Sequence, residues 1–259
     1  MSTLNSRGIA VITGVGRRRS IGAGLALGLA EDGWDLAINH WRPYDDRIGL
    51  ERLPDDPEVI AEACRALGAA VELIPGDLGD PATPARLLEG ARRMGPVSGL
   101  VMSHCESVDS SILTTDLESW DRHFAVNARA TWLLIKAFAE QLPASVDPGR
   151  VGGRIVALTS DHTVRNLPYG ASKGALDRIV TAAAVELADR GVRANVINPG
   201  PIDTGWMDDE IRASGIAATP AGRLGTPADT ADLVRFLFSD EGSWMNGQVL
   251  YSNGGFAVG

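Results

Sequence analysis

Tyr169 and Lys173, four residues apart, are the pair in this chain best spaced for proton chemistry. On a helix they lie one turn apart on the same face. There a lysine ammonium lowers the pKa of a phenol and helps it pass a proton at neutral pH. Spacing alone is weak support. With three tyrosines and two lysines (Lys136 and Lys173) in 259 residues, such a pair arises in roughly two per cent of shuffled sequences. A half-exposed helix carrying a snorkelling lysine explains it equally well. What stands upstream therefore matters. Ser160 ends an apolar strand pattern nine residues before Tyr169, where a hydroxyl can hydrogen-bond a substrate oxygen. Asn127 interrupts the long helical pattern over 116–142, and asparagine is a poor helix-interior residue. It marks either a kink whose carbonyl or side chain faces the site, or a tolerated surface position.

These residues need a scaffold, and the pattern supplies one. Residues 8–13 are apolar and rich in β-branched side chains, as in a buried strand. They run into Gly14-Val-Gly-Arg-Arg-Arg-Ser-Ile-Gly22 and then a helical pattern over 25–32. Strand, glycine turn and helix together present bare backbone N–H groups and a positive helix end to an anion, usually a dinucleotide pyrophosphate. Further strand patterns follow at 35–40, 71–74, 97–102, 154–159, 192–197 and 248–251. Helical patterns lie at 58–67, 81–93, 116–142, 169–186 and 228–239. This alternation predicts an α/β protein: a single-domain, Rossmann-like, doubly wound parallel sheet of seven strands with helices on both faces. Residues 41–57 read as a loop, and 205–225 as a polar, weakly patterned flap over the site.

In such a sheet ligands bind at the carboxyl ends of the strands. Asp77 and Leu78 follow the third strand there, and Ser103, His104, Cys105 and Glu106 follow the fourth. An acidic residue near the end of the second strand would bind the adenosine ribose of NAD. Here Asn39, His40, Trp41 and Arg42 occupy that place, with Arg17, Arg18 and Arg19 in the turn close by. Guanidinium groups pair with a 2′-phosphate in a bidentate fork, so NADP(H) is favoured over NAD(H). Asp45 and Asp46 could still turn inward, and solvated loop arginines remain the plain alternative.

Composition narrows the class. Hydrophobic residues make up 44% and charged residues 22% of the chain, which is ordinary for a soluble globular protein. A net charge of −9 argues against binding nucleic acid. No apolar run reaches the length of a membrane span, and residues 1–7 are polar without the apolar core of a secretory signal. Cys64 and Cys105 form no metal-ligand spacing. A cytoplasmic protein with free thiols and no metal is the expectation.

In order along the chain stand Thr13-Gly14, Ile21-Gly22, Asp77-Leu78, Asn127, Ser160, Tyr169 with Lys173, Asn198-Pro-Gly200, and an ending with Gly247-Gln-Val and Gly254-Gly255. This ordered set resembles the short-chain dehydrogenase/reductase family over essentially the whole chain, and most of all its bacterial 3-oxoacyl-acyl-carrier-protein reductase-like branch. The resemblance implies that Tyr169 protonates a carbonyl oxygen as hydride arrives from the nicotinamide, and acts as base in reverse. Lys173 would bind the nicotinamide ribose and depress the Tyr169 pKa. Ser160 would polarise the carbonyl, and Asn127 would hold a water linking Lys173 to solvent. Asp77 and Leu78 would flank the adenine, and Thr204 would reach the carboxamide. Gly14, Ser20, Ile21, Gly22, Ser103, Pro199, Gly200 and Ile202 complete the cofactor contacts it implies. No metal is needed, because the cofactor supplies the hydride and the protein supplies orientation and a proton.

The chain departs from the family pattern in three places. Its glycine turn is two residues longer than Thr-Gly-x-x-x-Gly-x-Gly, with Ser20 where a glycine is expected. Enoyl reductases of the superfamily share such a turn but space their tyrosine and lysine more widely, so Tyr169 and Lys173 argue for carbonyl reduction. Met102-Ser-His-Cys105 replaces Asn-Asn-Ala-Gly under the nicotinamide. The segment from Ser160 to Tyr169 is about four residues short of the family norm, so Thr159 or Asp161 could take the place of Ser160. Around that segment His104, Asp161, His162 and Arg165 are candidates for recognising a polar substrate group, or are solvated rim residues. The expected activity is reduction of a small-molecule carbonyl, or oxidation of the alcohol. The alternatives are a non-redox or epimerase reaction on the same fold, and a cofactor-binding protein that has lost catalysis. Apolar surface on helices 116–142 and 169–190 fits a homodimer or homotetramer.

Overall fold

The apolar run before the glycine turn forms β1 (Ile9–Thr13), buried along its whole length. Its side chains alternate between two cores, Ile9 and Val11 entering one, Ala10 and Ile12 the other. A strand covered on both faces by helices requires that pattern. The computed structural model describes residues 7–51, 53–162 and 164–256, so the polar residues 1–6 lie outside it. After β1 come α1 (Ile21–Glu31), β2 (Asp35–His40), α2 (Arg42–Arg47), α3 (Asp56–Ala66), β3 (Val71–Pro75), α4 (Thr83–Arg92) and β4 (Val97–Met102). α5 (Leu117–His123) runs through a π-helical segment, Phe124–Arg129, into α6 (Ala130–Glu140). The chain then forms β5 (Gly153–Leu158), α7 (Leu167–Glu186), β6 (Val192–Asn198), α8 (Asp209–Ala218), α9 (Pro227–Leu237) and β7 (Val249–Tyr251).

All seven strands are parallel, in the order β3-β2-β1-β4-β5-β6-β7. This is the Rossmann-like doubly wound sheet that the alternation predicts. One face is covered by α4, α6 and α7 through Leu87, Leu134, Phe138, Leu176 and Val180. The other is covered by α1, α3 and α9 through Leu25, Leu29, Ile60, Val234 and Leu237. The winding direction reverses between β1 and β4, which opens a crevice at their carboxyl ends.

Three elements differ from the pattern reading, each for a local reason. The supposed loop 41–57 holds α2 and the start of α3, with Pro43 and Pro57 in their first turns. There the missing proline N–H costs nothing, so these prolines begin helices rather than mark a loop. The interruption at Asn127 is a π-helical turn inside a continuous rod, a feature that widens the helix locally. The flap 205–225 contains α8, capped by the Asp208 side chain accepting from Ile211 N at 2.8 Å and carrying no buried residue.

Candidate active site

The glycine turn passes directly beneath the exit of β4. Gly14 has φ +77°, and a Cβ there would stand 2.6 Å from the His104 backbone nitrogen, so only glycine fits. A Cβ on Gly22 would meet the Gly14 carbonyl at 2.6 Å. Ser20, where a glycine was expected, caps α1 by accepting from Ala23 N at 3.1 Å. The N–H groups of Ile21 and Gly22 then open the helix without intrahelical partners. Gly14, Arg17, Ser20, Ile21, Trp41, Asp77, Leu78, Ser103 and Thr204 all line one cavity along the carboxyl edge of the sheet. A cradle that any side chain would fill, at a positive helix end, suits a dinucleotide phosphate. The residues present fit a nicotinamide dinucleotide.

The arginines do not converge as the sequence suggests. Arg17 lines the cavity, with Nε 3.3 Å from Asp45 and Nη1 donating to the Thr204 carbonyl at 2.9 Å. Arg18 turns toward α3, to Asp56 at 2.6 Å and Asp55 at 3.0 Å. Arg19 pairs with Asp203 at 3.1 Å, and Arg42 lies 3.6 Å from Glu58. One guanidinium of the cluster therefore faces the cavity, and an acid holds it. Asp45 has turned inward and is buried. Three of the expected cofactor contacts also stand elsewhere. Pro199 borders a separate hollow beside Tyr251 and Asn253, Gly200 packs on Asn253, and Ile202 is buried in a bridge to Gly225.

The proton-transfer residues do come together. The Lys173 ammonium lies 5.7 Å from the centre of the Tyr169 ring and donates to the Leu158 carbonyl at 2.7 Å. Ser160 stands near enough to Tyr169 to act on its phenol, and its Oγ accepts from His162 N at 3.1 Å. Thr159, the alternative to Ser160, is buried on the side of Asp177, and Asp161 is exposed. Burial raises the Tyr169 pKa, Cys105 and Asp161 add to the rise, and the Ser160 hydrogen bond opposes it. The depression expected from Lys173 is absent. Burial pushes the lysine itself down, and its N–H bond goes to a backbone carbonyl. The phenol is held protonated, ready to act as an acid.

Asn127 is buried in the π-helical turn and works as a tie. Its Oδ1 accepts from Glu106 N at 2.8 Å, and its Nδ2 donates to Glu106 O and to Ser172 Oγ, both at 2.9 Å. Ser172 Oγ in turn donates to the Tyr169 carbonyl at 2.8 Å. Both amide protons are thus spent on fixing the loop after β4 to α7.

His104 is a correction to the substrate reading. Its Nε2 stands 3.0 Å from the Val126 carbonyl, which can only accept, so Nε2 carries the proton. Nδ1 then accepts from the Thr13 hydroxyl at 2.7 Å. Burial, and secondarily the Lys173 charge, push the imidazole down to about 3. It is a neutral strut between β1 and the π-helical turn with no nitrogen left for substrate. Asp161, His162 and Arg165 are exposed at the rim, where His162 Nε2 lies 3.0 Å from the Val164 carbonyl and Arg165 adopts φ +62°. Residue 163 of that segment lies outside the described residues.

Among the residues that the pattern reading left out as site residues, Tyr44, Asp45, Glu106 and Arg122 also line the cavity. Tyr44 donates to the Ser107 carbonyl at 3.3 Å, and burial raises its pKa further. Glu106 is buried and accepts from Arg47 and, at 3.3 Å, from Arg122. Arg122 also grips Asp77 with a two-pronged pair at 2.8 and 2.9 Å. These groups come from α2, α5 and the loop after β4, so no spacing announces them. The signals available were a carboxylate, Glu106, in the loop after the buried strand β4 and the pair Asp45 and Asp46 that could turn inward. Among the described residues no cluster of His, Cys, Asp or Glu is arranged to hold a metal. No helix there is long and apolar enough to cross a membrane.

The family model described as "Enoyl-(Acyl carrier protein) reductase" matches residues 14–257. The chain is 35% identical to the "Uncharacterized oxidoreductase YjdA" of Bacillus subtilis, over 97% of both chains. It is 32% identical to an "NADPH-dependent aldehyde reductase-like protein, chloroplastic" of Arabidopsis thaliana, over 96% of this chain and 93% of the other. A blue fluorescent protein from a metagenomic library, solved with NADPH, superposes with a TM-score of 0.85 at 29% identity, covering 99% and 100% of the two chains. A 3-oxoacyl-[acyl-carrier protein] reductase from Brucella melitensis superposes at 0.81 with 26% identity, covering 98% of each. The chain belongs to the short-chain dehydrogenase/reductase family of oxidoreductases.

Proposed function

We propose that this protein reduces the carbonyl of a small molecule, or oxidises the matching alcohol, with Tyr169 as the proton donor and acceptor and NADP(H) preferred over NAD(H). The observation that carries the reading is the convergence of a half-buried Tyr169, kept protonated, with Ser160 and Lys173 at the carboxyl edge of the sheet. The nicotinamide supplies or takes the hydride when bound. Gly14, Ser20, Ile21 and Gly22 would hold its pyrophosphate, Asp77 and Leu78 its adenine end, and Ser103 and Thr204 its nicotinamide end. The NADPH bound by the metagenomic neighbour supports the NADP(H) preference.

The chain's own residues account for the proton. Ser160 Oγ orients the substrate oxygen beside Tyr169, whose Oη gives up its proton as the alcohol forms. Lys173, whose ammonium lies 5.7 Å from the Tyr169 ring centre, would hold the nicotinamide ribose beside the phenol. The family model bears the name of an enoyl reductase, but the four-residue spacing of Tyr169 and Lys173 favours carbonyl reduction. Exposed Trp132 on α6 and Val185 on α7 support assembly into a homodimer or homotetramer through these helices. A cytoplasmic location goes with this reading. The test is Tyr169→Phe, assayed with a panel of aldehydes and ketones. Turnover should fall by at least about a hundredfold while the Kd for NADPH, read from its fluorescence, stays within about twofold. Retained turnover would remove Tyr169 from the proposed chemistry.

A further inference from the structure

The glycine turn is two residues longer than the family pattern, and neither Arg18 nor Arg19 lines the cavity. The added length reaches the flap. The two ends of the flap are fastened to each other, Asp203 N donating to Gly225 O at 2.8 Å and Gly225 N to Pro201 O at 3.0 Å. From this neck the outgoing limb crosses beside the glycine turn. There Arg17 Nη1 donates to the Thr204 carbonyl at 2.9 Å, and Arg19 pairs with Asp203 at 3.1 Å. A Cβ on Gly205 would stand 3.3 Å from the Arg19 guanidinium, so the limb and the arginine are already in close contact. The other Asp203 oxygen takes Arg212 of α8, which carries the chain of charge into the flap helix. α8 has no buried residue, so core packing does not hold it in place. On the far side the flap is tied to the C-terminal turn, with Ala221 N donating to Gly254 O at 3.0 Å.

We propose that Arg17 and Arg19 are positioning residues that clasp the outgoing limb of the flap to the glycine turn, and that this clasp must open before the cofactor exchanges. The part concerning the cofactor rests on the dinucleotide reading above. The clasp itself does not. Arg17 is the hub: one largely buried guanidinium joins the glycine turn, Asp45 of α2 and the Thr204 carbonyl. It therefore sets where Thr204 stands over the cavity. Arg19 and Asp203 are the more exposed half, which solvent can open.

The experiment compares Arg17→Gln, Arg19→Gln and Asp203→Asn with the parent chain. Far-UV circular dichroism and Tm confirm folding, and Arg19→Gln is the safeguard should loss of the Asp45 partner unfold Arg17→Gln. Limited proteolysis of the cofactor-free protein should cut within residues 205–222 several-fold faster in each variant. Because Arg19 and Asp203 form one contact, the double variant should be cut no faster than Asp203→Asn. In a stopped-flow chase, NADPH and NADH should both leave about tenfold faster from Arg17→Gln, a change of about 1.4 kcal/mol in the barrier. Unchanged cleavage in the variants overturns the clasp. So does an Arg17→Gln effect on NADPH alone, which would make that residue a 2′-phosphate ligand instead. If neither dinucleotide binds, the proposed function fails, and the cleavage result still decides the clasp.

Discussion

Between pH 7 and pH 5 the protein should lose about 2 kcal/mol of stability through one buried imidazole, that of His104. The folded pKa is depressed to about 3 from an ordinary 6.5. The folded chain keeps His104 neutral because Nε2 must donate to Val126 and Nδ1 must accept from Thr13. The unfolded chain protonates it freely below its ordinary pKa. The stabilising contribution is therefore fully present above pH 6.5, declines as pH falls, and stops declining only near the folded value. At pH 5 the unfolded state has gained nearly its whole proton and the folded state almost none. Linkage then gives about 2 kcal/mol, and the figure hardly changes if the folded pKa lies a unit higher. The assay is urea denaturation of the parent chain and of His104→Gln at pH 7.5 and pH 5.0, with the difference taken between the two proteins at each pH. Carboxylates and the other histidines titrate in both and cancel. His104→Gln should be less stable at pH 7.5, because its amide cannot replace both imidazole contacts, yet should close the gap by about 2 kcal/mol at pH 5. A gap that is the same at both pH values would refute the buried neutral strut. The consequence for the site is direct, since the strut fixes the floor of the cavity at Ser103.

Gly14→Ala should abolish dinucleotide binding and lower Tm. It forces a positive φ on alanine and drives a Cβ to 2.6 Å from the His104 nitrogen, costing about 1–3 kcal/mol by crowding alone. NADPH fluorescence titration and a melting curve check it. Asn127→Ala should cost about 1–3 kcal/mol in urea denaturation, because the backbone N–H and carbonyl of buried Glu106 both lose their partner. It should also lower kcat more than it raises the NADPH Kd, since α7 loses its tie through Ser172.

The sheet and its order of elements were legible because central strands such as β1, β4 and β5 are short apolar runs bounded by turns, and covering on both faces keeps those runs continuous. Tyr169, Lys173 and Ser160 were legible as a group because spacing along one helix and one strand end carries their geometry. The arginines were not. Arg17, Arg18 and Arg19 are consecutive in sequence, yet each points to a different acid, in α2, at the start of α3 and at the neck of the flap. Composition shows a cluster of positive charge, but only the folded chain shows where the opposing carboxylates stand. His104 was misread for a related reason. A polar residue at the carboxyl end of a strand looks like a ligand contact until Thr13 and Val126 are seen to use both of its nitrogens.

The short segment between β5 and α7 raised the sharpest doubt, and its geometry explains how fewer residues suffice. Ser160 Oγ accepts from His162 N, which bends the chain at once into a turn. Arg165 takes the left-handed conformation that a non-glycine residue adopts at a cost, and this returns the chain toward the sheet. The loop after β4 then supports the segment from outside. Ser110 bridges to Asn166, Asn166 Nδ2 donates to Ser107 Oγ at 3.1 Å, and Leu167 N donates to Ser110 O at 3.2 Å. Pro168 is the second residue of α7, so Tyr169 lies in the first turn of the helix. A longer connection would have to stabilise itself, whereas this one borrows residues 107–110, the same loop that Asn127 anchors at Glu106. Shortening the segment has therefore tied the placement of Ser160 and Tyr169 to the β4 exit. A change in that loop should disturb proton transfer before it disturbs the sheet.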